Sequence, residues 1–514
     1  MPKERLERLL TAFAIFCLAL GIRLIGLGDQ SYSPTELFSL DAWTNDATRI
    51  GSGFFYDKAL SIFYLAAWLW RLIGGEAQCW MRLLPALCSA FGAIVLFLIV
   101  ERKITRTTAV LSVLFYSLHP FLIVHAQDLT PISMAMLFIL LSVWFATKWL
   151  ACHGEQGKFG MTAFAILAIY THPAAWPLVL FLALAAFSTR LEPGFLRKYS
   201  YLPIVAIFVF GLPCALNFIN RLAQGEIPIN LLGRSDLINQ MNLLFSFCGA
   251  YVVLGIDHLP FIFTMIAIAA MVVVAMTSLV FCLWGGWRHP FLGFLFIIPI
   301  IGAVLVNQIT DTVIIDSILP FMLFGLACVA AGVGELSYKK RIGKIVAGLA
   351  ALMFISFSII AFFSFRSTIY IHKTYWETAC SFSRQSDDFR ILTYSNQVAR
   401  DLKKNKNGKC HFTALLHDDE KNSPEIAQRA LQYVSNSERV ILLDYYQKKF
   451  DPGRTTIKTL ARKFGEPLSY DLPGQGNARI LVYTKQVDAP ESKLFWYGSW
   501  PKSPRLPYLR GATR

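Results

Sequence analysis

Leu83-Leu-Pro-Ala-Leu-Cys-Ser-Ala-Phe-Gly-Ala-Ile-Val-Leu-Phe-Leu-Ile-Val100 contains no charged residue, and it stops at Glu101-Arg102-Lys103. A helix rises about 1.5 Å per residue, so about 20 such residues cross the hydrocarbon core of a bilayer. Working outward from this window at 83–101, similar ones fall near 9–28, 107–124, 131–150, 158–171, 174–190, 201–219, 259–286, 291–307, 316–335 and 344–365. Composition agrees with a chain that crosses a membrane many times. Of the 514 residues, 55% are hydrophobic, only 16% are charged, and the mean hydropathy is +0.49. A soluble globular chain carries about 25% charged residues, which excludes soluble enzyme folds for most of this sequence. The expected fold is an α-helical polytopic membrane protein of about eleven transmembrane helices with a C-terminal extracytoplasmic α/β domain.

Lys and Arg bias sets the orientation, because short cytoplasmic loops keep their positive charge. With eleven spans, one side receives Lys3/Arg5/Arg8, Arg102/Lys103/Arg106, Lys148/Lys158, Arg190/Arg197/Lys198, Arg288 and Lys339/Lys340/Arg341/Lys344. All the short basic loops agree, which supports reading 158–190 as two spans broken at Thr171-His172-Pro173. The N-terminus is then cytoplasmic. The loops 29–82, 125–130 and 220–258 and everything after Phe365 lie outside the cytosol, in a cell (inner) membrane. A basic N-terminal region before an apolar run also fits a cleaved signal peptide, but Arg23 and the lack of a small-x-small site favour a retained anchor.

Past Phe365 the chain turns polar. Residues 366–514 hold 25 Lys/Arg against 15 Asp/Glu, so +10 of the net +15 lies there. Strand-like runs at 390–394, 440–444 and 480–483 alternate with helix-like runs near 396–405, 424–434 and 455–464, which reads as a small α/β domain. The domain assignment is 1–365 for the transmembrane catalytic part, 366–487 for this domain and 488–514 for a basic aromatic tail. The ten cysteines form no CxxC pair and no zinc-site spacing. Cys380 and Cys410 are the two in the polar region, and outside the cytosol they can either pair or remain separate thiols.

Chemistry is expected where charges sit beside apolar spans. The first outer loop contains Ser33-Pro-Thr-Glu36, Asp41 and Asp57-Lys58. Ser33, Pro34 and Glu36 fit the N-cap, N1 and N3 positions of a capping box, which accounts for Glu36 on its own. The functional alternative is a carboxylate at the mouth of a membrane cavity that takes a proton from an acceptor hydroxyl. A second outer segment holds His125, Gln127 and Asp128 between two spans, where such a cluster faces a cavity. A purely local reading has Asp128 capping the next helix. Lys58, Arg221 and Arg234 are cations on the same side, available to neutralise a phosphate leaving group, although Arg221 also fits a snorkelling interface residue. His258 follows Asp257 at the start of the eighth span. These two with Asp128 could hold a divalent metal; no metal is assigned.

These stretches are ordered as follows: a basic N-terminus and one span, an acidic residue at a helix start, Asp57-Lys58-Ala-Leu, Arg82-Leu-Leu-Pro85-Ala-Leu-Cys-Ser89-Ala, then His125-Ala-Gln-Asp128. In that order they resemble the GT-C superfamily of polyprenyl-phosphate-sugar glycosyltransferases, in particular the branch of protein O-mannosyltransferases and the lipid A aminoarabinose transferase. The likeness covers residues 1–150 by motif and the rest by layout. It implies a membrane glycosyltransferase that moves a sugar, with inversion, from a polyprenyl-phosphate donor (undecaprenyl phosphate in a bacterial cell envelope) to a lipid, glycan or protein acceptor. Glu36 and Asp128 would be the catalytic acidic residues. Lys58, Arg82, His125, Gln127, Arg221, Arg234 and His258 would bind substrate. The chain departs from the family at Thr35, where Asp is frequent, at Ala59-Leu60, where the family has two prolines, and at Leu129, where Arg is common.

Two other classes compete. A lipid-linked-glycan transporter or flippase would use the same intramembrane charges, but the paired repeats such proteins often carry are not evident. An O-antigen-ligase-like transferase would concentrate its charges in a later outer loop, and 220–258 holds few. Neither a nucleotide-binding glycine loop nor a nucleic-acid surface is expected; the +10 of residues 366–514 suits an anionic acceptor or anionic lipid headgroups.

Overall fold

The computed structural model describes residues 3–28, 36, 62–75, 77–152, 155–172, 175–179, 181–182, 202–223, 261–310, 315–337, 341–360 and 362. Towards the C-terminus it describes 389–393, 412–415, 426–435, 437, 439–444, 454–471 and 479–484. The chain divides into two compact units, one of Met1–Asp29 with Ser39–Phe365 and one of Gln30–Phe38 with Arg366–Arg514.

Among its described residues, the regular elements of the first unit are all helices. Its elements are α1 (Lys3–Leu24), α2 (Ile62–Gly74), α3 (Gln78–Lys103), α4 (Arg106–Leu118), α5 (Pro120–Gln127), α6 (Ile132–Cys152) and α7 (Glu155–Thr171). After these come α8 (Leu202–Ala223), α9 (Phe261–Arg288), α10 (Pro290–Thr310), α11 (Ile315–Ser337) and α12 (Arg341–Ile360). Four of them, Gln78–Lys103, Ile132–Ala151, Pro320–Ser337 and Arg341–Ile360, are long and apolar enough to cross a membrane. The protein is therefore a mostly helical integral membrane protein.

Two differences from the sequence reading have local causes. The window 107–124 is not one straight span: α4 and α5 meet at a bend of 60°. Pro120 has no N–H to continue the ladder and pushes the residue before it out of the helical region, and His119 sits at φ −64°, ψ 117°. The other difference is α2, a helix inside the expected loop 29–82. Its 13 residues reach about 20 Å, too short to span.

The α2–α3 hairpin closes with two indoles stacked at 4.5 Å and 7°. Trp70 Nε1 donates to the Trp80 carbonyl at 2.7 Å, and Trp80 Nε1 donates back to the Trp70 carbonyl at 3.0 Å. Gly74 makes room for this pair, since a Cβ there would strike the Trp80 ring. Farther along, α9 and α11 approach through glycines: a Cβ on Gly285 would meet the Cys328 carbonyl, and one on Gly332 the Phe281 carbonyl. Close backbone contact at small residues is how helices gain packing energy in lipid, where no hydrophobic force drives them together.

The second unit carries a five-stranded sheet in the order β2-β1-β3-β5-β4, with β1 Phe389–Thr393, β2 Phe412–Ala414, β3 Arg439–Asp444, β4 Leu468–Asp471 and β5 Arg479–Thr484. β1 pairs in parallel with β2 and β3, while β5 runs antiparallel to β3 and β4. Helices α13 (Ile426–Tyr433) and α14 (Thr455–Phe464) cover one face. Ile426, Ala430, Val434, Leu460 and Phe464 pack there on Leu392, Val440, Leu442, Leu481 and Tyr483. Successive strand residues point to opposite faces, which is why Val440 and Leu442 share this core. Strands β2 and β4 are additional to the three runs the sequence suggested. The run 396–405, Cys380, Cys410 and the tail 488–514 lie outside the described residues.

Candidate functional site

A buried polar layer joins α1, α3, α4 and α5 at the end of α1 that leads into the first long loop. Arg23, in the last turn of α1, is fully buried. Its Nε donates to Ser89 Oγ at 2.7 Å and its Nη1 to the Ala19 carbonyl at 2.9 Å. The guanidinium also lies 5.0 Å from the centre of the Tyr116 ring, where the ring face attracts a cation. Ser89 Oγ and Tyr116 Oη are 2.8 Å apart, and Tyr116 Oη donates to the Ser89 carbonyl at 3.0 Å. One consistent proton order runs from Arg23 to Ser89 Oγ, on to Tyr116 Oη, and back to the Ser89 backbone.

Next to this layer are four residues expected from the sequence. Arg82 is 1% exposed and donates from Nη1 to the Leu27 carbonyl at 3.1 Å. Gln127, at the C-terminus of α5, donates from Nε2 to the Arg23 carbonyl at 2.8 Å and the Ile25 carbonyl at 2.9 Å. These carbonyls are among those a helix end leaves without intrahelical partners, so Gln127 satisfies the end of α1. Asp128 caps α5 with extended backbone (φ −97°, ψ 138°), is half-buried, and accepts from the Thr130 N–H at 2.7 Å through its carbonyl. By its backbone, Asp128 ends α5. The His125 ring stands edge-on to Phe121 at 4.9 Å, and its carbonyl accepts from Ser133 Oγ at 3.0 Å.

The structure thus brings His125, Gln127 and Asp128 together on one helical turn and ties that turn to the end of α1. Glu36 is helical and fully buried, and it clusters with the C-terminal unit. Its expected capping partners Ser33 and Pro34 lie outside the described residues, as do Lys58, Arg234, Asp257 and His258. Arg221 falls in the last turn of α8. Among the described residues no three His, Cys, Asp or Glu side chains gather as a metal site. The sequence reading missed Arg23, Ser89 and Tyr116 as a unit. The available signal was an arginine inside an apolar span, which is costly unless it has a task.

Residues 57–216 match the family model described as dolichyl-phosphate-mannose-protein mannosyltransferase. That stretch contains Lys58, Arg82, His125, Gln127 and Asp128. The chain is also similar to the crystal structure of ArnT from Cupriavidus metallidurans in the apo state, with a TM-score of 0.52 at 10% identity over 93% of this chain and 99% of that one. The same protein bound to undecaprenyl phosphate gives 0.50 at 11% identity, with the same coverage. The chain shares the fold of this ArnT. The GT-C resemblance carried by the sequence motifs therefore extends to the fold over almost the whole chain. No curated protein sequence matches the chain significantly. At this level of identity the candidate site residues rest on the chain's own geometry.

Proposed function

We propose that this glycosyltransferase moves a sugar from a polyprenyl-phosphate-linked donor to a lipid, glycan or protein acceptor on the extracytoplasmic face, with inversion. The observation that carries the reading is the α5 turn. It holds half-buried Asp128 beside His125, clamped through Gln127 to the end of α1, inside the segment that matches the mannosyltransferase model. The solved ArnT bound to undecaprenyl phosphate supports the donor class.

In this mechanism an acceptor hydroxyl attacks the anomeric carbon on the face opposite the phosphate. The C1–O bond breaks and its electron pair leaves with the polyprenyl phosphate. Glu36 takes the hydroxyl proton or orients the acceptor, and Asp128 supports it. Lys58, with Arg221, Arg234, His258 and Arg82, neutralises the charge that develops on the phosphate; a low-dielectric site makes each such cation count. The Lys/Arg bias supports eleven spans, a cytoplasmic N-terminus, and placement of 366–487 outside the cytosol with 488–514 on the membrane surface. The net positive C-terminal part suits an anionic acceptor.

The test is transfer of radiolabelled sugar from a panel of polyprenyl-phosphate donors by the purified protein in lipid, with Glu36→Gln and Asp128→Asn alongside. Transfer or donor hydrolysis that vanishes in both variants is the expected result. Donor binding without turnover across the panel, unchanged in both, would replace this reading with a lipid-linked-glycan transporter.

A further inference from the structure

We propose that Arg23 is a positioning residue of the transfer reaction. Its guanidinium fixes the end of α1 against α3 and α4, and so sets the geometry of the segment that carries Asp128. The inference rests on the transferase reading above and deepens it.

Three observations lead here. A fully buried arginine in an apolar helix is expensive to keep, and among the described residues no carboxylate pairs with Arg23. Its Nη2 has no hydrogen-bond partner among the described residues. What the side chain does instead is span helices. One planar fork reaches the Ala19 carbonyl on its own helix and Ser89 Oγ on α3 while lying over the Tyr116 ring on α4.

The carbonyl of the same residue accepts from Gln127, the residue before Asp128. Three residues past the end of α1, Leu27 is held by Arg82. The bonds from Gln127 to the Arg23 and Ile25 carbonyls therefore tie the residue before Asp128 to the end of α1 that Arg23 holds. A group displaced by about 1 Å can cost about 100-fold in rate, so loosening this end of α1 acts on chemistry more than on donor capture. No neutral side chain, and no lysine with its single point of charge, reproduces the fork.

The experiment compares full-length parent protein in lipid with Arg23→Lys, Arg23→Met and Tyr116→Phe, and measures kcat and donor KM for sugar transfer together with thermal unfolding. Tyr116→Phe keeps the ring beneath the guanidinium and removes only the hydroxyl link to Ser89, so it remains informative if Arg23→Met fails to fold. The expected result is kcat lowered by about 10- to 100-fold in Arg23→Lys, a smaller fall in Tyr116→Phe, and donor KM within about threefold of the parent in both. Full kcat in Arg23→Lys would overturn the proposal, because charge alone then suffices. A loss confined to donor KM would also overturn it, by making Arg23 a binding group. A parent protein that turns over no donor overturns the transferase reading and this inference together, whereas an active parent with unaffected variants overturns only this one.

Discussion

Gln127 donates through Nε2 to the Arg23 carbonyl at 2.8 Å, joining residues 104 positions apart in sequence. The bond attaches the end of α5 to the end of α1 and leaves Asp128 as the next residue. This contact turns two separate polar segments of the chain into one assembly.

Replacing Gln127 with Leu removes both donors to the end of α1 and leaves two carbonyls to be satisfied otherwise. Net hydrogen bonds of this kind contribute about 1 kcal/mol each. The expected outcome is a protein less stable by about 2 kcal/mol, with a larger relative fall in transfer rate than in donor affinity. Thermal unfolding and steady-state kinetics on one preparation separate the two.

Glu36→Gln keeps a side chain that serves at N3 of a capping box and removes the carboxylate. Transfer should fall by about 100-fold or more, the scale of general-base contributions, with unfolding temperature unchanged. Retained turnover would leave Glu36 as a capping residue only.

Lys58→Ala should raise donor KM while acceptor KM stays constant, since a cation on the phosphate acts on donor capture and leaving-group charge. Assays at varied donor with saturating acceptor, and the reverse, read the difference. An unchanged donor dependence would remove Lys58 from the phosphate site.

Gly285→Ala and Gly332→Ala place a methyl group against backbone carbonyls across the α9–α11 contact. Overpacking of this kind costs about 1–3 kcal/mol. Gly348→Ala, with nothing within 4 Å of the added carbon, is the control and should be neutral or slightly stabilising. Detergent-solubilised thermal unfolding of the three variants checks the order.

The hairpin at Trp70 and Trp80 offers a local test. Trp70→Phe keeps a stacked ring but loses the donor to the Trp80 carbonyl, for about 1 kcal/mol. Gly74→Ala drives a methyl into the Trp80 ring and should be the more damaging of the two. Tryptophan fluorescence on unfolding distinguishes loss of the stack from global melting.

Much of the membrane architecture was legible because apolar composition survives without tertiary context. The run ending at Val100 could be read as a span from its residues alone. The bend at His119–Pro120 was not legible, since hydrophobic residues continue on both sides of the proline and periodicity does not register a change of direction. Helix α2 was overlooked because 13 apolar residues are too few to announce a span. In the sheet, the central strands β1, β3 and β5 were visible as apolar runs, but β2 and β4, of three and four residues, are too short to show alternation.

At the candidate site, His125, Gln127 and Asp128 stood out as polar residues between apolar stretches. The Arg23–Ser89–Tyr116 layer did not, because Arg23 and Ser89 are 66 positions apart and Ser89 and Tyr116 are 27 apart. Sequence shows a costly arginine but not the two hydroxyl groups that justify its place.

The strand order of the sheet has a consequence for biogenesis. β5 comes last along the chain yet lies between β3 and β4, so β4 has no neighbour to join until residues 479–484 have been made. A nascent chain halted before Arg479 would expose one open edge of β3 and carry β4 unattached, and proteases would cut it readily. The pairings of β5 with β3 and β4 are therefore the last of this sheet to become possible, after synthesis of every described helix of the first unit.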